Sequence, residues 1–189
     1  MARRVNFLEP DTDQIRLEIR GILDSYNHDW DVLAELCQNA MDSITRRQPS
    51  RGRVKLRVDS IAKTIEIEDN GTGIAPDRIE KLLGPFSTDK KGASNQVGQK
   101  GVGLTFVIFT SSLFQIWSRH SDGNCDAEVQ NASSWLLQET AEQLPLDIEE
   151  ITSSTEPFGA RIRVVGDPGS GCSGAISKIT ASPSCNNIC

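Results

Sequence analysis

Apolar side chains recur at helical spacing at Ile15, Ile19, Ile22, Leu23 and Tyr26, behind capping residues Asp11, Thr12 and Asp13. This pattern predicts an amphipathic helix over residues 11–26. Residues 27–29 break the pattern, and a second, stronger helix is predicted over 31–47, ending before Pro49. The period then changes. Val54, Leu56 and Val58 alternate with Arg53, Lys55 and Arg57, and Ile65 and Ile67 alternate with polar neighbours. A period of two marks strands with one buried face, so 53–59 and 64–69 should pair antiparallel through a short turn at 60–63.

Residues 70–73 form a glycine turn, and a short helix should follow, with Pro76 near its start and Gly84 at its end. Residues 85–103 are polar and carry glycines. A loop of about twenty residues inside a compact domain is usually functional or mobile. The segment 104–111 is apolar on nearly all sides and should be a buried helix. Residues 113–119, 125–131 and 160–165 read as further strands. The chain then turns to Gly, Ser, Pro, Asn and Cys without periodicity, so 1–168 is read as one domain and 169–189 as a disordered tail.

A chain of 189 residues can bury a core of its own. Its net charge of -6 argues against nucleic acid as the main ligand of this domain. It does not argue against a small polyanion held by a local site. The longest apolar stretch, 104–109, is too short to span a bilayer, and the N-terminus lacks the apolar core of a leader. The five cysteines make no C-x-x-C pair, so neither a zinc site nor a disulfide framework is indicated. Reduced thiols and a cytoplasmic location are expected. His28 and His120 show no ligand spacing.

Three segments carry candidate chemistry. On the second helix, at about 100° per residue, Glu35, Asn39, Asp42 and Arg46 share one narrow stripe. The plainest reading of such a stripe is a solvated face. After the second strand comes Asp69-Asn70-Gly71-Thr72-Gly73-Ile74. This is good turn chemistry, yet an ionised carboxylate at a strand end accepts only. It can receive the exocyclic N–H of adenine, where guanine would present an oxygen. Glycines let the backbone approach a flat base closely. The third segment is Gly98-Gln99-Lys100-Gly101-Val102-Gly103-Leu104, at a helix start. Open backbone N–H groups beside a helix N-terminus suit an anion. No strand precedes it and no G-K-[ST] closes it, so it is neither a dinucleotide fingerprint nor a Walker A loop.

Taken in order, E-x-x-x-N-x-x-D on a helix, D-x-G-x-G after a strand and G-x-x-G-x-G before a helix resemble the N, G1 and G2 boxes of the GHKL superfamily. Its members include gyrase-type topoisomerases, ninety-kilodalton heat-shock chaperones, histidine kinases and MutL proteins. The resemblance covers roughly 31–109. It implies an α+β two-layer sandwich of the Bergerat type, with a mixed, mostly antiparallel sheet and helices on one face. It also implies ATP and magnesium. By position, Glu35 is the general base, Asn39 the side-chain ligand of magnesium and Asp69 the adenine reader. Gly71, Gly73 and Ile74 lie along the base, and Gly98, Gly101, Val102, Gly103 and Leu104 along the phosphates. Asp42 either supports the base or bonds within the protein. Lys100 is the leading candidate for a γ-phosphate contact, ahead of Lys90 and Lys91. Residues 85–99 correspond to the lid.

Two features depart from the family pattern. Phe158-Gly159-Ala160-Arg161 stands where a Gly-Thr is common, so Ala160 lacks the hydroxyl, and Thr155 is a weak substitute. A phosphate-sensing lysine from a following domain is not expected within this sequence. The expected activity is a slow ATPase switch, acting on a protein partner or a homodimer through lid closure. The alternatives are a histidine-kinase-like phosphotransferase, favoured by Gly84-Pro85-Phe86-Ser87-Thr88-Asp89-Lys90, and an ATP-binding module without turnover. The basic stretch 46–57 reads as a solvated edge strand rather than a nucleic-acid contact.

Overall fold

The computed structural model describes residues 12–28, 30–85, 102–138 and 143–166. Its elements run α1 (Thr12–Ser25), α2 (Asp31–Arg47), β1 (Val54–Asp59), β2 (Thr64–Asp69), α3 (Pro76–Leu83), α4 (Gly103–Phe109), β3 (Leu113–His120), β4 (Gly123–Gln130), α5 (Ala132–Trp135), β5 (Asp147–Ile151) and β6 (Gly159–Val165). The strands form one six-stranded sheet in the order β1-β2-β6-β3-β4-β5. Every ladder among the described residues is antiparallel. The sandwich expected from the sequence is therefore present, with an antiparallel rather than a mixed sheet. No helix among the described residues is long and apolar enough to cross a membrane.

Alternation along each strand decides which face is covered. Ile65, Ile67, Phe114, Ile116, Cys125, Ala127, Val129, Ile162 and Val164 are buried on one side of the sheet. They pack with Leu36 and Ala40 of α2, Ile79 and Leu83 of α3, and residues 106–109 of α4. The other face is polar and matched in register. Lys55, Glu68, Arg161, Trp117, Asp126 and Glu149 stand side by side across the six strands. Lys55 pairs with Glu68, Arg57 pairs with Glu66, and the Arg161 guanidinium lies over the Trp117 ring. The basic edge strand read from the sequence is indeed β1, and its cations are answered by β2.

Three elements differ from the sequence reading: α4 in where it ends, and α5 and β5 in being absent from it. The α4 helix ends at Phe109 because hydroxyls take over its last carbonyls: Thr110 Oγ1 donates to Phe106 O at 2.9 Å and Ser111 Oγ to Ile108 O at 2.7 Å. The acidic β5 was not expected. It is an edge strand whose residues are almost all exposed, so no buried face imposes a period on its sequence. Neighbouring α5 is tied to α1, where Arg16 and Arg20 both donate to Leu136 O.

Arg119 closes the far end of β3. Its guanidinium is nearly buried and donates to Asp126 Oδ1 at 2.6 Å, Glu156 Oε2 at 2.7 Å and Ser154 Oγ at 3.0 Å. It thereby fastens the loop that leads into Gly159 and β6. Arg119→Ala should lower stability by about 1.5–3 kcal/mol, whereas Arg57→Ala, at an exposed pair, should change it by less than about 1 kcal/mol. Urea denaturation of the two variants measures the contrast.

Candidate functional site

The polar stripe of α2 is partly covered: Glu35, Asn39 and Asp42 are half-buried, whereas Arg46 is exposed. Glu35 is half-buried, and its carboxylate lies against the first residue of α4: a Cβ on Gly103 would fall 2.6 Å from Glu35 Cδ. Tyr26, just past α1, donates its hydroxyl to Glu35 Oε1 at 2.8 Å. Its ring stacks on Phe106 of α4, with centroids 3.7 Å apart and planes 9° from parallel. One turn along, the Asn39 Nδ2 is buried without a hydrogen-bond partner among the described residues. One turn further, Ser43 meets the loop after β2. The helix repeat of 3.6 residues therefore sets Glu35, Asn39 and Ser43 in a row from α4 to β2.

At the other end of that row stands Asp69. Gly71 N–H donates to its Oδ1 at 2.7 Å, and the Ser43 hydroxyl and the Ala160 N–H also donate to the carboxylate. Burial raises its pKa above the ordinary carboxylate value. Those three donors and the charge of Arg46 oppose the shift without cancelling it. Asn70 works within the protein: its side chain accepts from Arg53 N–H at 2.7 Å and donates to Arg51 O at 2.8 Å.

The two glycines of this loop are needed by the fold itself. A Cβ on Gly71 would lie 2.4 Å from the carbonyl carbon of Ser43. Gly73 has φ +67°, and a Cβ there would lie 2.9 Å from the carbonyl carbon of Arg119. Ile74 is held to β3 by Ser118 Oγ, which accepts from its N–H at 2.6 Å and donates to its carbonyl at 2.9 Å.

The structure thus sets Glu35 and Asn39 on α2, with Gly103 at the start of α4 toward one end and Asp69, Gly71 and Gly73 at and after the end of β2 toward the other. Val102 caps α4, accepting from Phe106 N–H at 2.8 Å, and Leu104 packs against the core. Asp42 accepts from Gln38 Nε2 at 3.0 Å, the intramolecular role that the sequence left open. Gly98, Lys100, Gly101, Lys90 and Lys91 lie outside the described residues, as does nearly all of 85–99. Thr155 is exposed, and the Ala160 backbone bonds the Asp69 carboxylate instead. Sequence reasoning missed Tyr26 as a partner of Glu35 and Ser43 as a partner of Asp69. Helical periodicity registers Tyr26 only as an apolar position, and a serine among core residues carries no periodic signal. A shallow cleft beside Arg57, Ile61 and Arg163 lies at the opposite end of β2 from Asp69, and its Arg57 is already paired with Glu66.

Comparison with known proteins shows the family of the chain. A family model described as histidine kinase-, DNA gyrase B- and HSP90-like ATPase matches residues 30–173. The chain is 25% identical over 142 residues to the chaperone protein HtpG of Streptomyces coelicolor, covering 59% of this chain and 22% of that protein. It is 29% identical over 147 residues to the sensor kinase CckA of Brucella abortus, covering 71% of this chain and 14% of that protein. The chain thus spans less than a quarter of the length of either relative.

The contact between Glu35 and Gly103 can be tested without any ligand. Gly103→Ala should destabilise the wild-type protein by at least about 1 kcal/mol more than it destabilises a Glu35→Ala background. A double-mutant cycle by chemical denaturation reads this coupling, and additive effects would contradict the geometry.

Proposed function

Because the chain belongs to the histidine kinase-, DNA gyrase B- and HSP90-like ATPase family, we propose that it binds ATP with magnesium along α2, hydrolyses it slowly and uses the cycle as a conformational switch. The observation that carries this reading is the row Glu35, Asn39, Ser43, which runs from the start of α4 to the Asp69 carboxylate. In this reading adenine lies at Asp69 and the phosphates lie toward α4, where Gly98, Lys100 and Gly101 complete the phosphate side.

Asp69 selects the base. Its Oδ1 is already engaged by Gly71, and an acceptor-only carboxylate receives the adenine amino group and repels the guanine oxygen. Asn39 fits a metal-bound polyphosphate. Magnesium takes oxygen ligands, keeps several waters and needs few protein groups beside phosphate. No trio of His, Cys, Asp or Glu among the described residues offers a metal cage, whereas the Asn39 amide offers one oxygen ligand and a buried N–H that lacks an acceptor. When bound, the ion would neutralise phosphate charge. Glu35 takes a proton from water as the water oxygen bonds to the γ-phosphorus; the bond to the bridging oxygen breaks, releasing ADP and phosphate. A protein partner or a second copy of the chain would read the nucleotide state, and the proposed compartment is the cytoplasm.

Glu35→Ala should slow turnover by about 10²–10⁴-fold while ATP still binds. Asn39→Ala should weaken both magnesium-dependent binding and turnover. Full ATPase activity in Glu35→Ala would refute the base, and transfer of phosphate to a protein histidine without release of free phosphate would replace hydrolysis with kinase chemistry.

Asp69→Asn should weaken ATP binding by about tenfold or more, with little GTP binding before or after. Because burial raises the Asp69 pKa and the ionised form is the better acceptor, ATP affinity should fall as pH drops through that raised value. The loss should begin above the range of an ordinary aspartate, near about 3.9. Calorimetry across pH, on wild type and Asp69→Asn, checks both statements.

A further inference from the structure

We infer that Tyr26 is a positioning residue for Glu35, fixing one carboxylate oxygen so that the other is presented to the attacking water. The inference rests on the reading of Glu35 as the base. It goes beyond that reading, because neither the helix stripe nor the glycine motifs include Tyr26.

Three observations carry it. The hydroxyl, on the residue that follows α1, donates to Glu35 Oε1 of α2 at 2.8 Å. The ring that carries the hydroxyl is itself located: it stacks on Phe106, which is 4% exposed, and its backbone N–H bonds Leu23 O at 3.2 Å. The absent side chain of Gly103 leaves room for the carboxylate on its other side. Glutamate has much rotamer freedom to lose, and a general base must sit within hydrogen-bond reach of the proton it takes. A donor on one oxygen and a wall at the other restrict that freedom before any ligand arrives.

The donor is also a permanent one. Burial, and after it the bond to Glu35, push the Tyr26 hydroxyl well above the usual range for a phenol, so it keeps its proton wherever the protein works.

Tyr26→Phe retains the ring and the stack on Phe106 and removes only the oxygen. It should lower kcat for ATP hydrolysis by about 10- to 100-fold and leave ATP affinity within about twofold of wild type. In a Glu35→Ala background the same change should have no further effect on turnover. An unchanged kcat, a loss of ATP affinity as large as the loss of kcat, or an equal loss in the Glu35→Ala background would each overturn the inference. Full turnover in Glu35→Ala would instead overturn the underlying reading of the base, so the two failures are distinguishable.

Discussion

Gly71 lies so close to α2 that a single methyl group there would fall 2.6 Å from the Cβ of Ser43. This contact fixes the end of β2 against the helix and, with it, the distance along α2 from Asp69 to Glu35. The loop is locked from the opposite side too, since Gly73 leaves no room for a Cβ against Arg119 and Gly159 leaves none against Asp69 and Asn70. Three glycines, each from a different contact, bring the ends of β2, β3 and β6 together under one helix. Protein interiors pack at crystal-like density, so at these positions even one carbon atom would move a backbone.

The two carboxylates that this packing positions are treated differently. Asp69 stands where burial outweighs three hydrogen-bond donors and a neighbouring arginine, and its pKa is raised. Glu35 is met by one phenol and a glycine. Carboxyl groups of the same intrinsic chemistry take different tasks when their surroundings differ. Asp69 is a fixed acceptor inside a network, whereas Glu35 keeps one oxygen outside its hydrogen bond to Tyr26.

The sheet supports this arrangement from behind. Its outer face carries charges in matched rows, so the faces of β1, β2 and β6 answer one another within the protein. Arg119, with Asp126, Glu156 and Ser154, ties the loop before β6 to β3 and β4. That loop delivers Ala160, whose N–H reaches Asp69. The nucleotide-family signature on α2 and β2 thus depends on an ion-pair network that shares none of its residues.

Most elements were legible in the chain itself, because a buried face imposes its period on the residues that form it. The bounds of α2 and β2, the hairpin at 60–63 and the proline-started α3 follow from local pattern and cap chemistry. The order of the acidic helix stripe, the D-N-G-T-G loop and the later glycine loop likewise sufficed to identify the family. Tertiary structure alone decided which polar groups meet. Tyr26 finds Glu35 through a helix turn and a ring stack, Ser43 and Ala160 find Asp69 from positions 26 and 91 residues away in number, and Arg119 finds Glu156 across the sheet. β5 escaped notice for a related reason: an exposed edge strand takes its shape from its neighbour's hydrogen bonds rather than from a buried face. Periodicity records burial, which is a property of one segment. A hydrogen bond or a missing Cβ is a property of two segments, and only the folded chain supplies the second.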